Sequence, residues 1–167
     1  MAFSVTDFKS RALGRGGYRP TLFEVRITGL GQDLSFLCQS SQVPAMTMGV
    51  IEVPYFGRKI KLAGDRTYAE WTTTVMIEED FSVRSELERW SMDINRGDTN
   101  TRNRLNEEYK EEAEVLLYGK GGAVIRSYRL VGAWPSDIGA IELDWNTTDT
   151  IGTYTVTWAF DFMNEGG

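Results

Sequence analysis

The 167-residue sequence predicts a mainly β protein: an antiparallel sandwich or barrel of about eight strands, one flanking α-helix and an extended hairpin. Three observations carry this reading. Apolar and polar residues alternate with period two in runs from Thr21 to the C-terminus. Turn residues, chiefly Gly, Asn and Asp, separate those runs. Only one stretch spaces its apolar residues as a helix does.

Residues 1–20 are polar and glycine-rich, end in Gly14-Arg15-Gly16-Gly17-Tyr18-Arg19-Pro20, and read as an N-terminal arm. Residues 21–167 read as a single β domain. Phe23, Val25 and Ile27 share one face of a first strand. After the turn Gly29–Asp33, Leu34, Phe36 and Cys38 alternate as a second, with Cys38 a small buried hydrophobe. Pro44 breaks that strand. Val50–Val53 and Arg58–Leu62 form two arms of a hairpin spanning about 48–63, turning at Pro54-Tyr55-Phe56-Gly57. Its tip is aromatic and its return strand basic, so it buries little alone. Ala63–Thr67 reads as a compact turn holding an Asp65–Arg66 acid–base pair.

Trp71, Val75 and Ile77 then mark a strand rich in β-branched residues. The helix follows over about 82–96, capped by Asp80 or Ser82 and ended by Asn95-Arg96-Gly97. Val83, Leu87, Trp90 and Ile94 form its apolar stripe. Residues 98–112 read as a long polar loop or loose helix, the clustered Glu107, Glu108, Glu111 and Glu112 as a solvated acidic surface. Val115 and Leu117 begin strands again, returning through Val124–Val131. Trp134–Gly139 reads as a turn, Ile141, Leu143 and Trp145 as a strand alternating with Glu142 and Asp144. The final strand places Tyr154, Val156, Trp158, Phe160 and Phe162 on one face. The candidate core is therefore Phe23, Val25, Ile27, Trp71, Val75, Leu87, Trp90, Val156, Trp158 and Phe160.

Composition excludes much chemistry. One Cys rules out an intrachain disulfide, and the lack of His rules out imidazole-based catalysis and metal ligation. No segment has the phosphate-loop form; Gly119-Lys120-Gly121-Gly122 lies between strands. Asp144–Asp149 starts like a calcium loop but lacks its glycine and closing glutamate. No signal peptide or membrane-crossing run is visible, which predicts a soluble chain made in a reducing compartment. With 18 Lys and Arg against 24 Asp and Glu, the formal charge of -6 argues against a nucleic-acid binder. The sequence predicts no enzyme, no cofactor and no metal. What remains is surface: an arm and a hairpin that partners would complete.

Several blocks resemble the tail tube proteins of contractile-tailed bacteriophages. They are Arg19–Val25, Arg58-Lys59-Ile60, Ala63-Gly64-Asp65-Arg66-Thr67, Trp71, Thr74-Val75-Met76, Trp134–Gly139, and Leu143-Asp144-Trp145 with the long final strand. Each is weak alone; their shared order, over roughly residues 18–163, is specific. The resemblance implies a structural subunit of hexameric rings, stacked helically into a hollow tube inside a contractile sheath. Baseplate and tail terminator would meet its ends, and DNA would pass through the lumen without specific binding. Such a subunit belongs to the virion tail and is assembled in the host bacterial cytoplasm without entering a membrane. The hairpin of this family reaches between rings or subunits, which makes Tyr55, Phe56, Arg58, Lys59, Lys61, Asp65 and Arg66 the candidate interface. Two other functions compete. One is the inner tube of a type VI secretion or phage-like injection system carrying protein effectors. The other is a monomeric β-sandwich module that binds sugars or bases on its Trp residues.

Overall fold

The computed structural model describes residues 16–31, 33–102 and 108–166. Nine strands carry the fold within those residues. They are β1 (Phe23–Ile27), β2 (Cys38–Ser41), β3 (Met46–Tyr55), β4 (Arg58–Tyr68), β5 (Trp71–Met76), β6 (Glu111–Tyr118), β7 (Val124–Ile138), β8 (Thr153–Ala159) and β9 (Phe162–Gly166). A 3-10 turn (Thr28–Leu30) and a short helix α1 (Asp33–Leu37) follow β1, and the long helix α2 (Ser82–Ile94) follows β5. The main sheet runs β1-β6-β7-β8-β5-β2, all antiparallel, with β9 added to β7; β3 and β4 form a separate ribbon.

β7 joins the two halves of the sheet because it changes partners along its length. Its Ser127–Val131 segment pairs with β9, and its Trp134–Ile138 segment pairs with β8. The changeover falls at Gly132, whose φ is +72°. A side chain there would be strained in its backbone and would also meet the Asp161 carboxylate. Asp161 lies between β8 and β9 and donates its N–H to the Val131 carbonyl (2.9 Å), while Lys110 Nζ holds its carboxylate at 2.8 Å.

The core fills the space between the two halves and is covered by α2. Val25, Ile27, Val115, Leu130, Trp71, Val75, Val156 and Trp158 are buried from the strands, and Val83, Leu87 and Trp90 from α2. Phe23 and Phe160 are only partly buried at its margin. Trp158 is central, 5.6 Å from the Trp71 ring and 5.9 Å from the Trp90 ring. Each indole N–H finds an acceptor: Trp71 donates to Ser41 Oγ (3.0 Å), Trp90 to the Tyr109 carbonyl (2.8 Å) and Trp158 to Thr73 Oγ1 (2.9 Å). Burying three indoles without those acceptors would cost a desolvation penalty each time.

α2 starts after Phe81, which takes a left-handed φ of 54°, and Asp80 Oδ1 accepts the Ser82 N–H (3.2 Å). It ends where Asn95 donates to the Ser91 carbonyl. Arg84 ties it to the body through the Gly139 carbonyl (2.8 Å) and lies over the Tyr154 ring.

Six expectations are corrected. Leu34–Leu37 is helical and the strand begins only at Cys38; Leu34 and Cys38, four residues apart, are buried together while Phe36 is exposed. Ala63–Thr67 and Trp134–Ile138 are strand, not turns, because each finds a partner strand across a register irregularity. Glu111 and Glu112 open β6 and do not belong to a loop. Residues 139–152 hold no strand, so the Ile141–Trp145 alternation stays unpaired. The final strand breaks at Phe160–Asp161 and turns into β9. Glu107 and most of the N-terminal arm lie outside the described residues.

Two measurements check this core. Gly132→Ala should lower the stability of the unassembled subunit by roughly 1–3 kcal/mol, read from its urea midpoint; an unshifted midpoint would rule out a strained corner. Burial pushes the Cys38 thiol up to about 12. The native protein should therefore resist thiol reagents at pH 8 and react fully once denatured; rapid labelling of the native state would mean that Cys38 is accessible.

Candidate assembly surface

The β3–β4 ribbon projects from the sheet, held at its base by the Ala69 N–H to Ala45 carbonyl bond (2.9 Å) and by Tyr68 against Phe160. Its pairing runs from Met46↔Tyr68 to Tyr55↔Arg58, so the hairpin is longer at both strands than the sequence indicates. The register Ile51↔Leu62, Val53↔Ile60 and Tyr55↔Arg58 places the apolar Ile51, Val53, Tyr55, Ile60 and Leu62 on one face, with Arg58 at its outer end. The pairs Glu52↔Lys61 and Pro54↔Lys59 form the other, where Lys59 Nζ meets Glu52 at 2.6 Å. The apolar face is between 41% and 63% exposed at each of its five residues. An exposed hydrophobic face and two open edges are features that mark contact surfaces.

The tip reinforces this. Phe56 and Gly57 have φ of 44° and 74° and connect paired residues Tyr55 and Arg58, a two-residue turn of the mirror-image kind. Asn or Gly ordinarily fills the first position. Here Phe56 fills it with its ring 90% exposed and edge-on to Tyr55 at 4.7 Å. Folding alone gives no reason to place a large aromatic side chain in that conformation and in water.

The structure brings Tyr55, Phe56, Arg58, Lys59 and Lys61 together at this end. Asp65 and Arg66 lie farther down, beside a bulge where Gly49 and Gly64 face one another, and no ion pair joins them among the described residues. Sequence reasoning passed over the apolar face itself, although Ile51, Val53 and Tyr55 alternate visibly.

The main cleft elsewhere, about 550 Å³, is open and polar, lined by Glu24, Arg26, Ser35, Glu112 and Arg129 among others. Glu112 lies 3.9 Å from Arg129, and Glu24 is engaged on several sides. Arg26 binds Glu24 (2.6 Å), Ser35 donates to it, and so does Tyr118. The Arg26 hydrogen bond holds the Glu24 carboxyl below the usual carboxylate range, against the upward pull of burial. That contribution is present above the ordinary carboxylate pKa and is lost as pH falls through the lowered one. Among the described residues no group of three or more acids or thiols is arranged for a metal, and no helix is long and apolar enough to cross a membrane.

A mainly β, antiparallel subunit with a projecting, half-covered ribbon is the class defined by this geometry. The chain is a member of the phage tail tube protein family, whose family model matches residues 9–164. It is 36% identical over 159 residues to the tail tube protein gp19 of Enterobacteria phage T4, covering 93% of this chain and 97% of that one. Its fold is similar to that of a chain in the sheath–tube complex of the extracellular contractile injection system PVC (TM-score 0.68, 15% identity, 99% of both chains). It is also similar to a chain of the tube-terminating cap of the anti-feeding prophage (TM-score 0.68, 17% identity, 90% of this chain and 91% of that).

Phe56→Gly should leave the subunit as stable or up to about 1 kcal/mol more stable, because it relieves the left-handed backbone, while slowing assembly. Paired thermal unfolding and sedimentation would read both. A clear loss of monomer stability would instead make Phe56 a folding residue.

Proposed function

We propose that this tail tube subunit closes into hexameric rings that stack helically into a hollow conduit inside a contractile sheath, through which DNA is delivered to the host. The exposed apolar ribbon is the observation that carries it, since none of the described residues covers that face and a neighbouring copy would. Sequence identity of 36% across nearly the whole of a phage tail tube protein favours a phage tail over an injection-system tube, to which only the fold is common. In this reading the sheath lies outside, the baseplate and terminator meet the ends, and residues 1–20 help the contact between subunits. The subunit acts as a passive wall with no catalytic step, built in the host cytoplasm and carried in the virion. Its charge of -6 suits a conduit that repels phosphate and does not hold it. For a sugar- or base-binding module on Trp71, Trp134, Trp145 or Trp158, Trp71 and Trp158 are fully buried and Trp134 half-buried, which leaves Trp145 as the one exposed indole of the four and disfavours a stacking groove.

Electron microscopy of the purified protein tests this: rings or tubes are expected, and monomers under every condition would overturn it. Arg66→Glu should raise the concentration needed for assembly several-fold without changing subunit unfolding; unchanged tube yield would remove Arg66 from the interface.

A further inference from the structure

Ile141, Leu143 and Trp145 alternate with Glu142 and Asp144 as a half-buried strand should, yet this segment belongs to no strand. It lies in a loop whose ends are fastened. Gly139 donates to the Thr155 carbonyl (2.7 Å), and Ile77 donates to the Gly152 carbonyl (2.9 Å). Asp144 Oδ1 accepts the Asn146 N–H at 2.9 Å, which fixes the turn after it. Within this loop Ile141 is half-buried against the chain's own core, whereas Leu143 is 90% exposed and Trp145 fully exposed. An amphipathic strand pattern with nothing to pair with fits an edge supplied by another molecule.

The ribbon offers such an edge. β3 and β4 form a two-stranded sheet, so each has an open side. β3 is the poorer acceptor: Pro54 has no N–H to give, and Glu52 would oppose the acids of the loop. β4 is complementary on both of its faces. Ile60 and Leu62 lie on the apolar face, Lys59 and Lys61 on the charged one. A strand added beside β4 with Leu143 continuing the apolar face places Glu142 and Asp144 beside the two lysines.

We infer that residues 142–145 of one copy add as a strand to the open β4 edge of another copy, Leu143 and Trp145 extending its apolar face and Glu142 and Asp144 pairing with Lys59 and Lys61. This rests on the reading that copies of the chain assemble, and it names which surface meets which. Among the described residues of the single chain Leu143, Trp145, Ile60 and Leu62 are all exposed, which leaves them open to a second copy.

Cross-linking tests it, because Cys38 is the sole cysteine and is buried. Chains carrying Leu143→Cys are mixed with chains carrying Ile60→Cys, assembled, and treated with a short thiol-to-thiol cross-linker. Dimers containing both variants are expected at a level at least tenfold above that in unassembled mixtures. Tubes that form without such dimers would overturn the pairing and leave the tube reading intact. Failure of the unsubstituted protein to assemble would overturn both. A charge exchange provides a second arm. Glu142→Lys with Asp144→Lys should raise the assembly concentration at least tenfold, and adding Lys59→Glu with Lys61→Glu should restore most of the loss. No restoration, with subunit unfolding unchanged, would also overturn the inference.

Discussion

Everything in this subunit depends on one strand having two partners along a single edge. β7 pairs with β9 up to Val131 and with β8 from Trp134 onward. The positive φ of Gly132 and the Asp161 contact at the same corner turn an otherwise open sheet into two facing halves. Without that turn there would be no enclosed space for the tryptophans, and α2 would have no core to cover. The corner therefore sets where the sheet changes partners and direction.

The interior is specified by polar detail as much as by volume. Three indole rings could stack in several ways in an apolar space. Their N–H groups reach Ser41, Tyr109 and Thr73, which belong to three different parts of the chain. Each bond fixes a ring and at the same time ties a loop or strand to the cluster. Hydrophobic pressure alone does not give this specificity. The neighbouring Tyr154 shows the limit, for its hydroxyl is buried without a hydrogen-bond partner among the described residues, and burial pushes it up to about 12.

Strands with one face in the core could be read directly. β1, β5 and β8 alternate because every second residue is buried, and the stripe on α2 repeats for the same reason. The segments that misled have a different logic. Trp134-Pro135-Ser136-Asp137 looks like a turn, but β8 pairs along it and absorbs the irregularity between Pro135 and Asp137. Gly64 signals a break, yet Gly49 faces it across the ribbon and the strand runs through. The Leu34–Cys38 alternation is too short to separate a strand from a helical turn. At the surface, the charged and aromatic tip was conspicuous, whereas the apolar face was not, because alternating Ile and Val ordinarily mean a buried strand. Whether such a face is covered depends on a neighbour that no single sequence contains.

The facing glycines of the ribbon have a geometric consequence. At Gly49 and Gly64 the two strands approach so closely that a Cβ on either would meet the opposite backbone at 3.2 Å, with the Ile51 side chain beside Gly64. A side chain at either position would push the strands apart, so the register shift between Met48 and Val50, and with it the direction in which the outer ribbon leaves the body, is held by two residues that have no side chain.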